Sequence, residues 1–277
     1  MKLEDGSVIL ERLKVIKKLY EDTIKRGGRE GIHSLIRSQK LIYIIHDYIK
    51  EQLALNGISP LKIYPPINQS SPEISMAGFL KMKNQDVSVI CGNFKEEVIK
   101  EGVLLNEKDE IGKGVLSKSI SINVRSQLSS LAKNFDTLYE RTFAEALNLH
   151  LRIPQLIMGE VYMVPLVAYD PEKMNSKKIG WKERLPIKYI PAFRELNKRL
   201  SDKTDAYKYE RVCLLIVDFR GEEPKIIDSA EDLLREGWIT KDELEIFSLE
   251  GLSIRNFVQD ILKVYERRHG SWKPLAI

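Results

Sequence analysis

"LAKNFDTLYERTFAEALNLHL", residues 131–151, reads as one helix, and what it packs against decides how the chain is arranged. At 100° per residue, Phe135, Leu138, Thr142, Ala146 and Leu149 form one apolar stripe. Glu145 lies seven positions after Leu138, two turns on, and so points out of the middle of that stripe. An ionised carboxylate there needs a cationic partner, a metal ion or a proton. Strand-like segments flank the helix. "VLSKSISINVRSQLSSLAK" alternates apolar and polar residues and predicts a strand from about 115 to 126, kinked onward to Lys133, with Asn134 or Asp136 capping the helix. "QLIMGEVYMVPLVAYD" follows, apolar enough to be central in a sheet.

Further upstream, "AGFLKMKNQDVSVICG" predicts a hairpin turning at Asn84–Gln85, and "NFKEEVIKEG" a short helix capped by Asn93. "RVCLLIVDF" is another buried strand. Ser229 with Asp232, Thr240 with Glu243, and Ser253 signal three C-terminal helices. The first residues are helical: "SVILERLKVIKKLY" after a Ser7 cap, an interruption at Gly27–Gly28, then a long amphipathic helix ending at Gly57. The expected fold is α/β: a central mixed sheet flanked by helices over residues 58–277, with a helical N-terminal subdomain over 1–57.

The 277 residues, 30% charged and 43% hydrophobic, have the profile of a soluble globular protein. No apolar run approaches a membrane span, so no membrane partner is expected. Cys91 and Cys213 sit inside apolar strand-like segments and suit free thiols in a reducing cytoplasm. The net charge of +4 is mild, but Lys173 to Arg211 holds 12 Lys/Arg against 5 Asp/Glu. Such a basic stretch, interleaved with Trp181, Tyr189, Tyr207 and Tyr209, is either a solvated loop or a surface for a polyanion.

Asp86 opens "DVSVIC" and is placed to project from a strand end. Lys133 stands just before the helix, and Glu145 lies on it. Two carboxylates and a lysine at a sheet edge can hold Mg²⁺ through oxygen ligands and orient a water near a phosphate. Each also has a plain reading: Asp86 as a turn residue, Lys133 as a solvated helix-start lysine, Glu145 as half of an ion pair with Arg141 or Arg152. Glu73, in "SSPEIS", is a further carboxylate for a second metal, or simply an acid after Pro72. Glu160 is a weaker candidate for that role.

The order Asp, long gap, Lys, then glutamate inside a helix resembles type II restriction endonucleases of the PD-(D/E)XK fold. It is most similar to the subgroup that cuts sites containing CCGG, and the resemblance spans roughly residues 73–170. In that subgroup the glutamate is displaced onto the helix, as Glu145 is here. The resemblance implies a restriction-endonuclease-like core, Mg²⁺ as cofactor, and Asp86, Lys133 and Glu145 as catalytic residues, the two acids holding the metal. An Arg-(Asp/Glu)-Arg element reads the bases in that subgroup. Here "YER", Tyr139–Glu140–Arg141, fills its slot, with Arg141 suited to guanine O6 and N7 and Glu140 to cytosine N4.

This chain departs from the pattern at Gln85, where proline is expected, and at Tyr139, where the first arginine is expected. Base contacts would then be completed by Arg125 or by the basic stretch. Asn123-x-Arg125 is a rival for the usual (D/E)XK position. Lys133 is preferred because arginine stays protonated and cannot accept a proton. Lys177, Lys178, Lys182 and Arg184 are the expected contacts to the DNA backbone. The implied partners are double-stranded DNA, a second copy of the chain in a homodimer or a pair of dimers, and a cognate methyltransferase in a bacterial or archaeal cytoplasm. Outside this class, the main alternative is a DNA-binding regulator without catalysis; within it, the alternative is a nuclease of the same fold with another specificity.

Overall fold

The computed structural model describes residues 6–272. Two helices, α1 (Ser7–Arg37) and α2 (Lys40–Leu55), precede β1 (Ile63–Tyr64), β2 (Ile74–Ala77), β3 (Met82–Gln85), β4 (Val87–Val89), β5 (Glu97–Val98) and β6 (Lys108–Asp109). Then come α3 (Lys113–Leu116), β7 (Ile120–Ser126), α4 (Leu131–Arg152), β8 (Ile157–Pro165), β9 (Val167–Tyr169), α5 (Pro171–Asn175) and β10 (Trp181–Arg184). The chain finishes with α6 (Tyr189–Glu195), β11 (Arg211–Asp218), β12 (Lys225–Ile227), α7 (Ala230–Arg235) and α8 (Ile254–His269). The architecture is α/β, and none of the described helices is long and apolar enough to cross a membrane.

Six strands form the central mixed sheet in the order β1-β4-β7-β8-β11-β12. β4 runs antiparallel to β7, while β7, β8 and β11 are mutually parallel neighbours. Parallel neighbours need a crossover, and α4 is the one that joins β7 to β8. Period-two alternation sorts the side chains into two cores. Ile120, Ile122 and Val124 of β7 and Val161 and Met163 of β8 pack with Ile16, Ile45, Ile49 and Ile261 from α1, α2 and α8. Met158, Tyr162 and Val164 pack on the other face with Ala146 and Leu149 of α4 and Phe193 of α6. The first core runs without a break across residue 57, so α1 and α2 share it with the sheet.

The helix 131–151 forms as its periodicity requires, with Phe135, Thr142, Ala146, Leu149 and Glu145 all buried. It starts earlier than its predicted caps. Ser130 precedes it at positive φ and the Glu183 carboxylate, from β10, accepts from the N–H groups of Leu131 and Ala132. The segment before it is not one kinked strand, since α3 occupies 113–116 and β7 ends at Ser126. The predicted hairpin is shifted: β3 pairs back with β2, with Ile74 opposite Gln85, and the chain passes directly into β4 at Asp86. Its turn therefore lies at 78–81, not at Asn84–Gln85. "NFKEEVIKEG" is no helix, because Glu97–Val98 pairs with Lys108–Asp109 instead. The N-terminal helix is interrupted where the glycine pair predicts, since Gly28 takes the non-helical φ 56° and ψ −146° and kinks α1, and a second break at Ser38–Gln39 separates α1 from α2. A Cβ at Gly28 would lie 2.8 Å from the Met174 carbonyl oxygen. Capping boxes are present at Ser229/Asp232 and Thr240/Glu243, the second opening only a short 3-10 turn.

At Gly159 the side chains of α8 pack directly on the sheet backbone. A Cβ at this position of β8 would lie 2.5 Å from Ile261 Cδ1 and 2.8 Å from Phe257 Cζ, both from buried residues. Gly159→Ala should destabilise the fold by about 1–3 kcal/mol through overpacking, measured as a lowered urea midpoint with an unchanged slope.

Candidate functional site

The face of β7 turned toward α4 is polar: Ser121, Asn123 and Arg125 are its side chains, and Asn123 stands opposite Glu160 of β8. Two residues on, Arg125 reaches diagonally back. Its Nη1 donates to Glu160 Oε1 at 2.8 Å and to Thr142 Oγ1 at 2.6 Å, and its Nη2 pairs with Glu145 Oε2. Glu160 is fully buried and the Glu145 side chain is 4% exposed. The acid on the inward face of the helix is therefore met by a cation from the neighbouring strand. Neither arginine expected from sequence does this: Arg141 is exposed on α4, and Arg152 is buried with Glu97 and Asp109.

Asp86 joins the cluster from the junction of β3 and β4. Its Oδ2 accepts the Val124 N–H at 2.8 Å, which fixes the carboxylate against β7. Burial pushes its pKa up to about 6, with Glu145 and Glu73 adding to the rise and the Val124 N–H and Arg125 opposing it. Burial likewise raises Glu160 well above the ordinary carboxylate range, against the pull of Arg125. Arg125 is raised in turn, because Glu160, Glu145 and Asp86 together outweigh the desolvation of its charge. Lys83 of β3 completes the group, its Nζ 3.1 Å from Glu145 Oε2. Tyr209 lies buried beneath, donating to the Thr142 carbonyl at 2.9 Å.

The other predicted residues are placed as follows. Lys133 is exposed on the first turn of α4, twelve residues before Glu145 and so roughly 18 Å away along the axis. It is not brought to Asp86 and Glu145; Arg125 and Lys83 are. Glu73 is half-buried on the wall of a separate cavity of about 470 Å³ shared with Tyr64 and Phe94. Glu140 and Arg141 are exposed on α4. Tyr139 turns inward instead, stacking on Phe135 and donating to the Ala192 carbonyl at 3.2 Å. Lys177 and Lys178 are exposed after α5. Lys182 makes a solvated pair with Glu172, and the Arg184 guanidinium lies 3.9 Å from the Trp238 ring centroid while donating to the Gly237 carbonyl.

Sequence reading missed Lys83 and the pairing of Arg125 with Glu160. A signal for Arg125 was present, since a strand with Ile122 and Val124 on one face and three polar residues on the other needs partners for those residues once it is central. Nothing comparable marks Lys83.

The donor set fits a hard divalent cation in kind. Glu145 Oε1 and Glu160 Oε2 are buried without a hydrogen-bond partner, and Asp86 adds a carboxylate beside them. Asp86 and Glu145 would hold such an ion through oxygen, while Glu160 remains with Arg125. In this arrangement Arg125 stands between the acids, and among the described residues no three His, Cys, Asp or Glu side chains converge as a ligand set. Arg125→Met should lower stability by roughly 3–5 kcal/mol at pH 8, because it leaves buried carboxylates without their cation. Burial raises the Asp86 pKa to about 6 against the pull of Arg125, so without Arg125 Asp86 takes up its proton at higher pH, and the deficit should shrink as pH falls from 8 to 6 in paired urea melts. Comparisons with protein-family models, with curated proteins and with solved structures give no significant match to this chain.

Proposed function

We propose that this chain is a Mg²⁺-dependent endonuclease of double-stranded DNA, a type II restriction enzyme with a PD-(D/E)XK-like core acting on a palindrome with a central CCGG. The observation that carries this reading is the meeting of Asp86, from a strand start, with Glu145, from the crossover helix, around the end of β7. The order of elements supports it too, since an antiparallel pair, a crossover helix and a parallel strand present these acids together. A bound Mg²⁺ would supply a polarised water and charge neutralisation at the scissile phosphate. The protein's own part is to hold Asp86 and Glu145 apart from bulk water and to fix their oxygens, through Val124 N–H for one and Arg125 for the other. In this reading Glu140 and Arg141, exposed on α4, read base edges, and Lys177, Lys178, Lys182 and Arg184 meet backbone phosphates. A palindromic site calls for a two-fold assembly, a homodimer or a pair of dimers, in a bacterial or archaeal cytoplasm beside a methyltransferase that protects the same site.

A second reading has one observation in its favour: Arg125 already pairs with both Glu145 and Glu160, as it would in a DNA-binding protein without catalysis. A digest of sequenced phage DNA with Mg²⁺ or EDTA separates the two. The nuclease gives discrete Mg²⁺-dependent fragments ending within CCGG-centred sites, and cutting elsewhere would leave a nuclease of another specificity. Binding indifferent to EDTA with no cutting would establish the regulator.

Asp86→Ala and Glu145→Ala should each abolish cleavage and keep measurable binding to duplex DNA. Glu140→Ala and Arg141→Ala should cost about 1–3 kcal/mol per lost base contact, with relaxed site preference in a fragment-end assay. Because burial favours the proton on Asp86 up to about pH 6 and Mg²⁺ must displace it, the Mg²⁺ concentration for half-maximal cleavage should rise as pH falls below 6.

A further inference from the structure

Next to the carboxylates, a pocket of about 410 Å³ opens between α4 and the segment 80–83. Its charged walls are Lys81, Lys83 and Arg141, with Glu145 the single acid. We propose that this pocket is a binding site for a phosphate oxyanion, with Lys83 and Lys81 as its cationic ligands. Taken with the nuclease reading, on which this second step rests, Lys83 is the lysine beside the reacting phosphate, and Lys133 is not.

Three features build the site. Lys83, on β3, and Lys81, the last residue of the turn before it, both line the pocket. Asn148 of α4 fixes the backbone that carries them. Its Oδ1 accepts the Leu80 N–H at 2.7 Å and the Lys81 N–H at 3.2 Å, and its Nδ2 donates to the Lys81 carbonyl at 3.1 Å. The turn is closed by Gly78 N–H donating to the same carbonyl at 3.1 Å.

The charge balance points the same way. Lys83 and Arg125 both address Glu145 Oε2, leaving Oε1 without a partner and Lys83 as a second cation on one oxygen. The Lys83 side chain is 32% exposed, so its ammonium can swing into the pocket while Arg125 keeps Glu145. An ammonium with three donors suits a non-bridging phosphate oxygen approached from several directions. Arg141 at the mouth continues the basic wall toward the exposed face of α4 and Glu140, so one strand of nucleic acid can pass along both.

The test uses the full-length chain and two probes, inorganic phosphate followed by phosphorus NMR titration at fixed ionic strength, and a duplex with a central CCGG in single-turnover cleavage. Lys83→Ala and Lys83→Gln should weaken phosphate binding by about tenfold, Lys83→Arg should restore much of it, and Lys133→Ala should bind like the parent. With Mg²⁺ and the duplex, Lys83→Ala should slow the cleavage step by about a hundredfold, with far less change on Lys133→Ala. Circular dichroism establishes that the variants fold, and the Lys83→Arg recovery would not occur if Lys83 acted only on stability. Parent-like phosphate binding by Lys83→Ala and Lys83→Gln, or no phosphate binding by the parent, overturns the pocket whatever the cleavage result. Phosphate binding that depends on Lys83, in a protein that cuts no duplex, sustains the pocket and removes the nuclease.

Discussion

The guanidinium of Arg125 is the constraint on which the centre of this structure depends. It is buried between a strand and a helix and bonded to Glu160 and Thr142 through one nitrogen, to Glu145 through the other. Removing either acid's charge would leave the other to carry a buried cation, and removing the cation would leave the acids repelling in low dielectric. The register of α4 over β7 and β8 is thereby tied to a charge pattern as well as to apolar packing. A helix sliding by one residue would turn Glu145 through 100° and away from the cation. The polar face of β7 tolerates its central place through that pairing and through Ser121, whose hydroxyl donates to the Gln85 side-chain oxygen.

A second buried ion group, beside the start of β11, shows what a fully met carboxylate looks like. Glu210 is held by Arg199 at 3.0 Å and Arg268 at 2.8 Å, and accepts the Met158 N–H at 2.7 Å. Its pKa falls to about 2 despite full burial, through His150, Arg268 and Arg199. Asp86 and Glu160 move in the opposite direction, and Glu145 and Glu160 each keep an oxygen with no donor. Burial alone therefore does not distinguish the two clusters. Satisfaction of the carboxylate oxygens does: both are met in Glu210, and one is left over in Glu145 and one in Glu160.

Much of the architecture was legible in the sequence because it rests on local rules. The stripe on residues 131–151, the inward placement of Glu145, the apolar strands β8 and β11, and the Ser229/Asp232 cap all follow from periodicity and capping chemistry. Elements fixed by distant pairing were misread. "NFKEEVIKEG" has the charges of a helix but is extended because Lys108–Asp109 lies beside it, and the 74–85 hairpin turns four residues early because β2, rather than β4, is the partner of β3. The partner of Glu145 was sought among arginines near it in sequence, Arg141 and Arg152. The one that serves is twenty residues earlier, on another element, where only the fold brings it close. Lys133 looked well placed by its position at the helix start, yet a helix carries its two ends apart as effectively as it brings i and i+4 together.

Asn148 has a mechanical implication. Because its amide clasps the turn at 78–81, the segment bearing Lys81 and Lys83 is fastened to the same helix that bears Glu145 and Arg141. Both walls of the pocket thus belong to one chassis. The fastening reaches further, because β3 runs directly into β4: Asp86, three residues after Lys83, is tied to α4 through the same amide, so the walls of the pocket and the alignment of the acids depend on one clasp.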